Sequence, residues 1–237
     1  MTNSLRWRGH EVSRLEGFSD TVFAFALTLL VVSLEVPRSP EKLMQLMMGF
    51  PAFACCFALL VWIWWEHNTF FRRFGLQDAY TVTLNAGLLF VVLLYVYPLK
   101  FMFESMFSQW IPGAEPVHMD LYQLANISAV YASGFIAVFV LFALLYLHAY
   151  RSRDTLGLNE LEVFDARTAI GHHVVSIIIG MLSLIVALGA PLAYVPLAPT
   201  VFFLMGPGHA FHGWRSGRER RQLEEQLAAA SKPAPVS

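Results

Sequence analysis

Six stretches of this chain stay apolar for close to the ~20 residues an α-helix needs to cross a lipid bilayer. They run over about 16–36, 43–67, 79–101, 121–150, 168–190 and 194–213. A soluble fold has nowhere to bury so much apolar surface. Of the 237 residues, 57% are hydrophobic and 14% charged, and mean hydropathy is +0.54; a soluble domain has about 45–50% and ~25%. The expected fold class is an all-α integral membrane protein with six transmembrane helices. Residues 1–214 form the six-span domain and 215–237 a charged, partly disordered tail. The sixth span is the weakest, because Pro196, Pro199, Gly206 and Pro207 interrupt it; a kinked or re-entrant element there stays open.

Orientation follows from Lys and Arg. With six spans and the N-terminus inside, the inner segments hold Arg6, Arg8, Arg14, Arg72, Arg73, Arg151, Arg153, Arg167, Arg215, Arg218, Arg220, Arg221 and Lys232. The outer loops hold only Arg38, Lys42 and Lys100. The split predicts that both termini are cytoplasmic. A net charge of −1 with no basic face argues against a nucleic-acid partner. The two cysteines, Cys55 and Cys56, are adjacent within an apolar run and read as small packing residues.

No sequence signature for enzymatic chemistry stands out. HExxH, GxSxG, a P-loop and a Cys/His cluster at metal spacing are all missing from the sequence, so no enzyme, cofactor or metal is expected. A TVGYG-like stretch for a carbonyl-lined filter is missing as well. Transport or conduction by another route is the class that fits.

Ionisable and polar residues within spans are functional candidates, because placing them in hydrocarbon is costly. Asp20 lies at the inner end of span one, as an acid favoured by the helix N-terminus or as part of a buried network. His67 and Asn68, at the end of span two, fall at the same depth, and Asn85 lies slightly deeper in span three. His148, His172 and His173 share this depth, which keeps a haem-ligand reading as a minor alternative to ordinary interfacial histidines. His209 and His212 read as interfacial.

The segment Arg14-Leu15-Glu16-Gly17-Phe18-Ser19-Asp20 matches an RxxxFSD signature directly ahead of an apolar span. Together with Val22-Phe23-Ala24, Thr28-Leu29-Leu30-Val31, Trp64-x-x-His67 and Leu84-Asn85, it resembles the potassium channel family that includes the lysosomal channel transmembrane protein 175. The detailed likeness covers spans one to three; the later spans agree in hydropathy only. The resemblance implies a prokaryotic, plasma-membrane, multi-pass member with one repeat per chain. It implies a homotetramer that conducts K⁺ passively through a pore lined by the first helix. A proton-coupled secondary transporter using Asp20 and His67 is the alternative.

A helical projection is consistent with a pore-lining first helix. At about 100° per residue, Phe18, Thr21, Thr28, Leu29 and Val32 fall within about 60° of Phe25, and Asp20 falls about 140° away with Phe23, Leu27 and Leu30. By resemblance, Phe25 occupies the hydrophobic constriction, where the family carries Ile or Leu, with Leu29 and Val32 further along. Thr28 matches a threonine that helps coordinate a partly hydrated cation. Arg14, Phe18, Ser19, Asp20, Trp64, His67 and Asn85 form the expected network that holds the pore helix. Glu35, Glu104, Glu115 and Asp120 give the outer side an acidic cast.

Overall fold

The computed structural model describes residues 11–34, 36–108 and 118–230. Arg6, Arg8 and Lys232 of the cationic pattern, the acids Glu35 and Glu115, and the tail from 231 onward lie outside the described residues. Every regular element among the described residues is a helix. The helices are α1 (Arg14–Val32), α2 (Pro40–Met48), α3 (Phe50–Phe74), α4 (Ala79–Ser108), α5 (Leu121–Arg151), α6 (Arg153–Leu156) and α7 (Glu160–Gly189), followed by two 3₁₀ helices (Leu192–Leu197 and Pro199–Leu204) and α8 (Met205–Ala230). Five of them, α1, α3, α4, α5 and α7, are long and apolar enough to cross a bilayer. The chain is thus an all-helical integral membrane protein.

Local sequence sets where these helices start and stop. Ser13 caps α1, accepting from Glu16 N at 3.1 Å while its hydroxyl donates to the Glu16 carboxylate. Asp120 with Gln123 opens α5, and Asn159 with Glu162 opens α7, each as a reciprocal capping box. Gly75 ends α3 at φ 62°, a left-handed conformation that glycine adopts without a Cβ clash, after Arg72 and Arg73 in the last turn.

Two expected boundaries are corrected. The second apolar run, expected as one span over 43–67, is two helices. Gly49 separates α2 from α3, and Pro51 belongs in a helix's first turn, where its missing N–H costs nothing. As a result α3 extends to Phe74. The sixth run, expected over 194–213, is not one α-helix. Pro196 and Pro199 cannot donate to a continuous ladder, so the chain takes two 3₁₀ helices before α8 begins. Residues 215–230, expected to begin the tail, are the continuation of α8.

The segment after α7 runs back along it. Ser183 Oγ donates to Ala198 O at 2.8 Å, and Ser176 bonds His209 at 3.1 Å. His212 bonds Thr168 O at 3.0 Å, and Arg220 donates to Asp165 at 3.0 Å. Partners on α7 descend in number as those on the returning segment rise, so the two are antiparallel over nearly the whole of α7. His209 and His212, expected at an interface, therefore face α7.

The core lies between α1, α3, α4, α5 and α7. Phe70, Phe71, Phe74, Phe142 and Tyr146 fill it near the end where α1 begins, and Leu88, Val92 and Leu99 continue it along α4. Gly134 allows α5 to approach α4. A Cβ there would fall 2.4 Å from Tyr95 Cδ2. Tyr95 is 3% exposed, and its hydroxyl is tied to Tyr131 O at 3.0 Å, so the ring has no room to turn. Gly134→Ala is expected to cost about 1–3 kcal/mol through overpacking, read as a lower melting temperature in detergent. Gly17→Ala, with open space around its Cβ, serves as the control and leaves stability unchanged or slightly raised. Equal melting of Gly134→Ala and the parent would refute the close approach.

Candidate functional site

Helix α1 divides into two faces. Ser19, Phe23, Ala26 and Leu30 are buried against α3 and α4. The opposite face is open: Phe18 is 60% exposed, Phe25 55% and Val32 72%, with Thr21 and Thr28 exposed between them and Leu29 half-buried. This is the division the projection expects, with Asp20 directed toward its neighbours and away from Phe25. The exposed positions 18, 21, 25, 28 and 32 alternate steps of three and four, the spacing of a seam between helices gathered around a shared axis, and Ala24 and Val31 extend the exposed face on one side of it.

A hydrogen-bonded network fixes the buried face at the end where α1 begins, and its directions can be deduced. The Ser19 hydroxyl donates to Leu15 O at 2.8 Å, one turn back. With its proton committed, Ser19 Oγ accepts from Asn85 Nδ2 at 2.9 Å. Asn85 therefore turns its carbonyl oxygen to His67 Nε2, 2.8 Å away. His67 must carry its proton on Nε2, and its other ring nitrogen stays bare between the rings of Phe23 and Phe71. Beside this chain, Trp64 Nε1 donates to Asp20 Oδ1 at 2.8 Å. Helices α1, α3 and α4 are thus joined through Ser19, Asp20, Trp64, His67 and Asn85, five of the seven residues expected there.

Two expected members stand apart. Phe18 points away from the network into the exposed row, because it lies seven residues from Phe25 and shares its face. Arg14 is exposed at the first residue of α1, and no hydrogen bond among the described residues joins it to this set. Asp20 and His67 share a depth but not a bond, since each has its own partner.

The far end of α1 has a tether that sequence reading missed. Lys100 Nζ donates to both Ser33 O and Ser33 Oγ at 2.8 Å, and pairs with Glu104 at 3.4 Å. An ammonium at a helix C-terminus meets the negative end of the helix dipole. The available signal was Lys100 itself, a cation in an apolar run two residues after Pro98; its partner cannot be seen without the fold. Helix α1 is thus anchored at both ends, leaving one continuous row exposed between.

Charged groups gather at the end where α1 begins. Asp165 on α7 bridges Arg73 of α3 at 2.7 Å and Arg220 of α8 at 3.0 Å. Asp78, ahead of α4, meets His148 of α5 at 3.0 Å. Burial works against ionisation of Asp78, but hydrogen bonds from His148 and from the side chain and backbone of Thr81 outweigh it and hold the carboxyl down at about 2. The histidines expected at one depth thus go separate ways: His67 to Asn85, His148 to Asp78, and His172 against His209 with ring centroids 3.9 Å apart. No group of three or more His, Cys, Asp or Glu residues suited to a metal ion occurs among the described residues.

A family model described as "Endosomal/lysosomal potassium channel TMEM175" matches residues 14–95, which include α1, the network and the first half of α4. A protein of Marivirga tractuosa named as a potassium channel is 37% identical over 230 residues, covering 92% of each chain. A potassium channel of Chamaesiphon minutus is 29% identical over 148 residues, covering 59% of this chain and 66% of the relative. Among solved structures, a variant of the potassium channel MtTMEM175 bound to a nanobody–MBP fusion superposes with a TM-score of 0.81 at 33% identity, covering 92% of this chain and 99% of that one. The lysosomal potassium-selective channel TMEM175 homolog from Chamaesiphon minutus superposes at 0.50 with 25% identity, covering 81% and 96%. With this agreement over nearly its full length, and with Ser19 and Asp20 of the RxxxFSD segment tying α1 to α3 and α4, the chain belongs to the TMEM175 family.

Proposed function

We propose that this protein is a K⁺-permeable channel that conducts passively through a homotetrameric pore lined by α1. The observation that carries the reading is the exposed row Phe18, Thr21, Phe25, Thr28 and Val32 on a helix whose other face is fixed at both ends. Two threonines of the row keep their hydroxyl oxygens as acceptors, which a pore lining uses. The potassium channels to which the chain is similar support the same reading.

In a tetramer, Phe25, Leu29 and Val32 form apolar rings that close the pore by dewetting. Thr28 supplies oxygen beside the constriction. Its hydroxyl proton is engaged by Ala24 O at 2.8 Å, so the lone pairs face outward. Na⁺ holds its water more tightly than K⁺, so a site offering a few hydroxyl oxygens favours K⁺ to a moderate degree. Arg73, Arg151, Arg167 and Arg220 lie at or near the end where α1 begins, which supports placing that end in the cytoplasm of a prokaryote.

We infer a sixth crossing as well. Two six-residue 3₁₀ helices cover about 24 Å at ~2.0 Å per residue, and the first turns of α8 add about 10 Å. That reaches across a ~30 Å hydrocarbon core. The bond from Ser183 to Ala198 O satisfies a carbonyl in this proline-interrupted segment. Both termini then lie on the cytoplasmic side.

The test is cation flux into liposomes holding the purified protein, with K⁺ and Na⁺ gradients compared. Non-saturating K⁺ flux above that of Na⁺ is expected. Flux that needs an imposed proton gradient would overturn the reading in favour of a proton-coupled transporter.

A further inference from the structure

We infer that Thr21 forms a second cation-coordinating ring, on the opposite side of the Phe25 constriction from Thr28. The inference rests on the pore-lining reading of α1. Thr21 and Thr28 are seven residues apart, about 10.5 Å along the helix, and occupy equivalent places in the exposed row. Phe25 lies between them, about 6 Å from one and about 4.5 Å from the other along the axis.

The two hydroxyls are set alike. Thr21 Oγ1 donates to Gly17 O at 2.9 Å, as Thr28 Oγ1 donates to Ala24 O at 2.8 Å. Each proton is directed back along the helix, so each oxygen is left as an acceptor on the exposed face. An acceptor without a competing proton is what a partly dehydrated monovalent cation requires. A cation passing an apolar ring must shed water on one side and regain it on the other. Oxygen rings flanking Phe25 lower the cost of both steps, where Thr28 alone serves one. Arg14 lies seven residues before Thr21 in the same register, so Thr21 is the first side-chain hydroxyl of the row that a cation meets after the guanidinium level. The predicted ligand is K⁺ or Rb⁺ carrying part of its hydration shell.

The test compares the full-length parent with Thr21→Val, Thr21→Ser and Thr28→Val in planar bilayers, at symmetric K⁺ and across a range of voltage. Valine keeps the shape and removes the oxygen; serine keeps the oxygen. Thr21→Val is expected to lower the current entering from the α1 N-terminal side about fivefold, the effect of losing a contact of hydrogen-bond strength. The opposite current falls less, so the current–voltage relation bends, and Thr21→Ser restores it. Thr28→Val is expected to act mainly on the K⁺/Na⁺ ratio. A Thr21→Val channel with the parent's conductance and rectification overturns the inference and leaves the pore reading standing. A parent that conducts no cation overturns both. Rb⁺ density at the level of Thr21 in crystals of the parent, lost in Thr21→Val, supports the ring by a route independent of current.

Discussion

Phe25→Ala raises K⁺ flux through the reconstituted protein about tenfold or more, equivalent to removing about 1.4 kcal/mol from the barrier. The reason is geometric. Phe25 is the largest side chain in the middle of the exposed row, 55% exposed, and four such rings around one axis leave little room for water. Alanine widens the ring and lets the segment stay wet. The K⁺/Na⁺ ratio falls at the same time, because a cation that keeps its water is no longer sorted by the cost of losing it. The measurement is K⁺ and Na⁺ flux at matched protein-to-lipid ratio. A variant as slow as the parent would show that Phe25 does not form the constriction and would move attention to Leu29 or Val32.

The second large effect is on stability. Asn85→Leu removes two bonds at once, to Ser19 and from His67, and both partners are about 1% exposed or less. An unpaired buried group costs about 1–3 kcal/mol. Interhelical bonds in membranes net nearer ~1 kcal/mol, because the separated helices find other partners. About 2–3 kcal/mol is therefore expected for the pair, a drop of roughly 5–10 °C in melting temperature for a chain of this size. Ser19→Ala should lose less, since it leaves the His67–Asn85 bond in place. Differential scanning of detergent-solubilised protein checks the order. Asn85→Leu melting at or above Ser19→Ala would mean that the His67–Asn85 bond between α3 and α4 adds no stability.

Much of the architecture was legible because hydropathy is a local property. The five helices able to cross a bilayer overlap the first five apolar runs, although the second run divides at Gly49; α1, expected over 16–36 from hydropathy, spans Arg14–Val32. Which residues of α1 share a face was legible too, since seven-residue spacing puts Phe18, Phe25 and Val32 together whatever the rest of the chain does; which face is buried came from the family resemblance and is decided by packing against α3 and α4. The break at Gly49 and the 3₁₀ segment were harder to read. Apolarity continues through both; the prolines marked the sixth run as interrupted, but only backbone geometry records that Pro51 opens a helix while Pro196 and Pro199 lie in two 3₁₀ helices.

The sequence by itself determined the polar inventory at the end where α1 begins: Ser19, Asp20, Trp64, His67 and Asn85 had to lie near one depth, because helices of this rise descend and return on a fixed scale. It did not determine the pairing. Asp20 and His67 looked like partners, yet Trp64 takes the carboxylate and Asn85 the imidazole. The tertiary structure decided this through one committed proton. Leu15 O holds the Ser19 hydroxyl, which orients the Asn85 amide and thereby fixes the tautomer of His67. Lys100 at Ser33 is the same kind of outcome: depth can be read along one chain, but a hydrogen bond depends on the rotation of two helices about their axes, and only packing sets that.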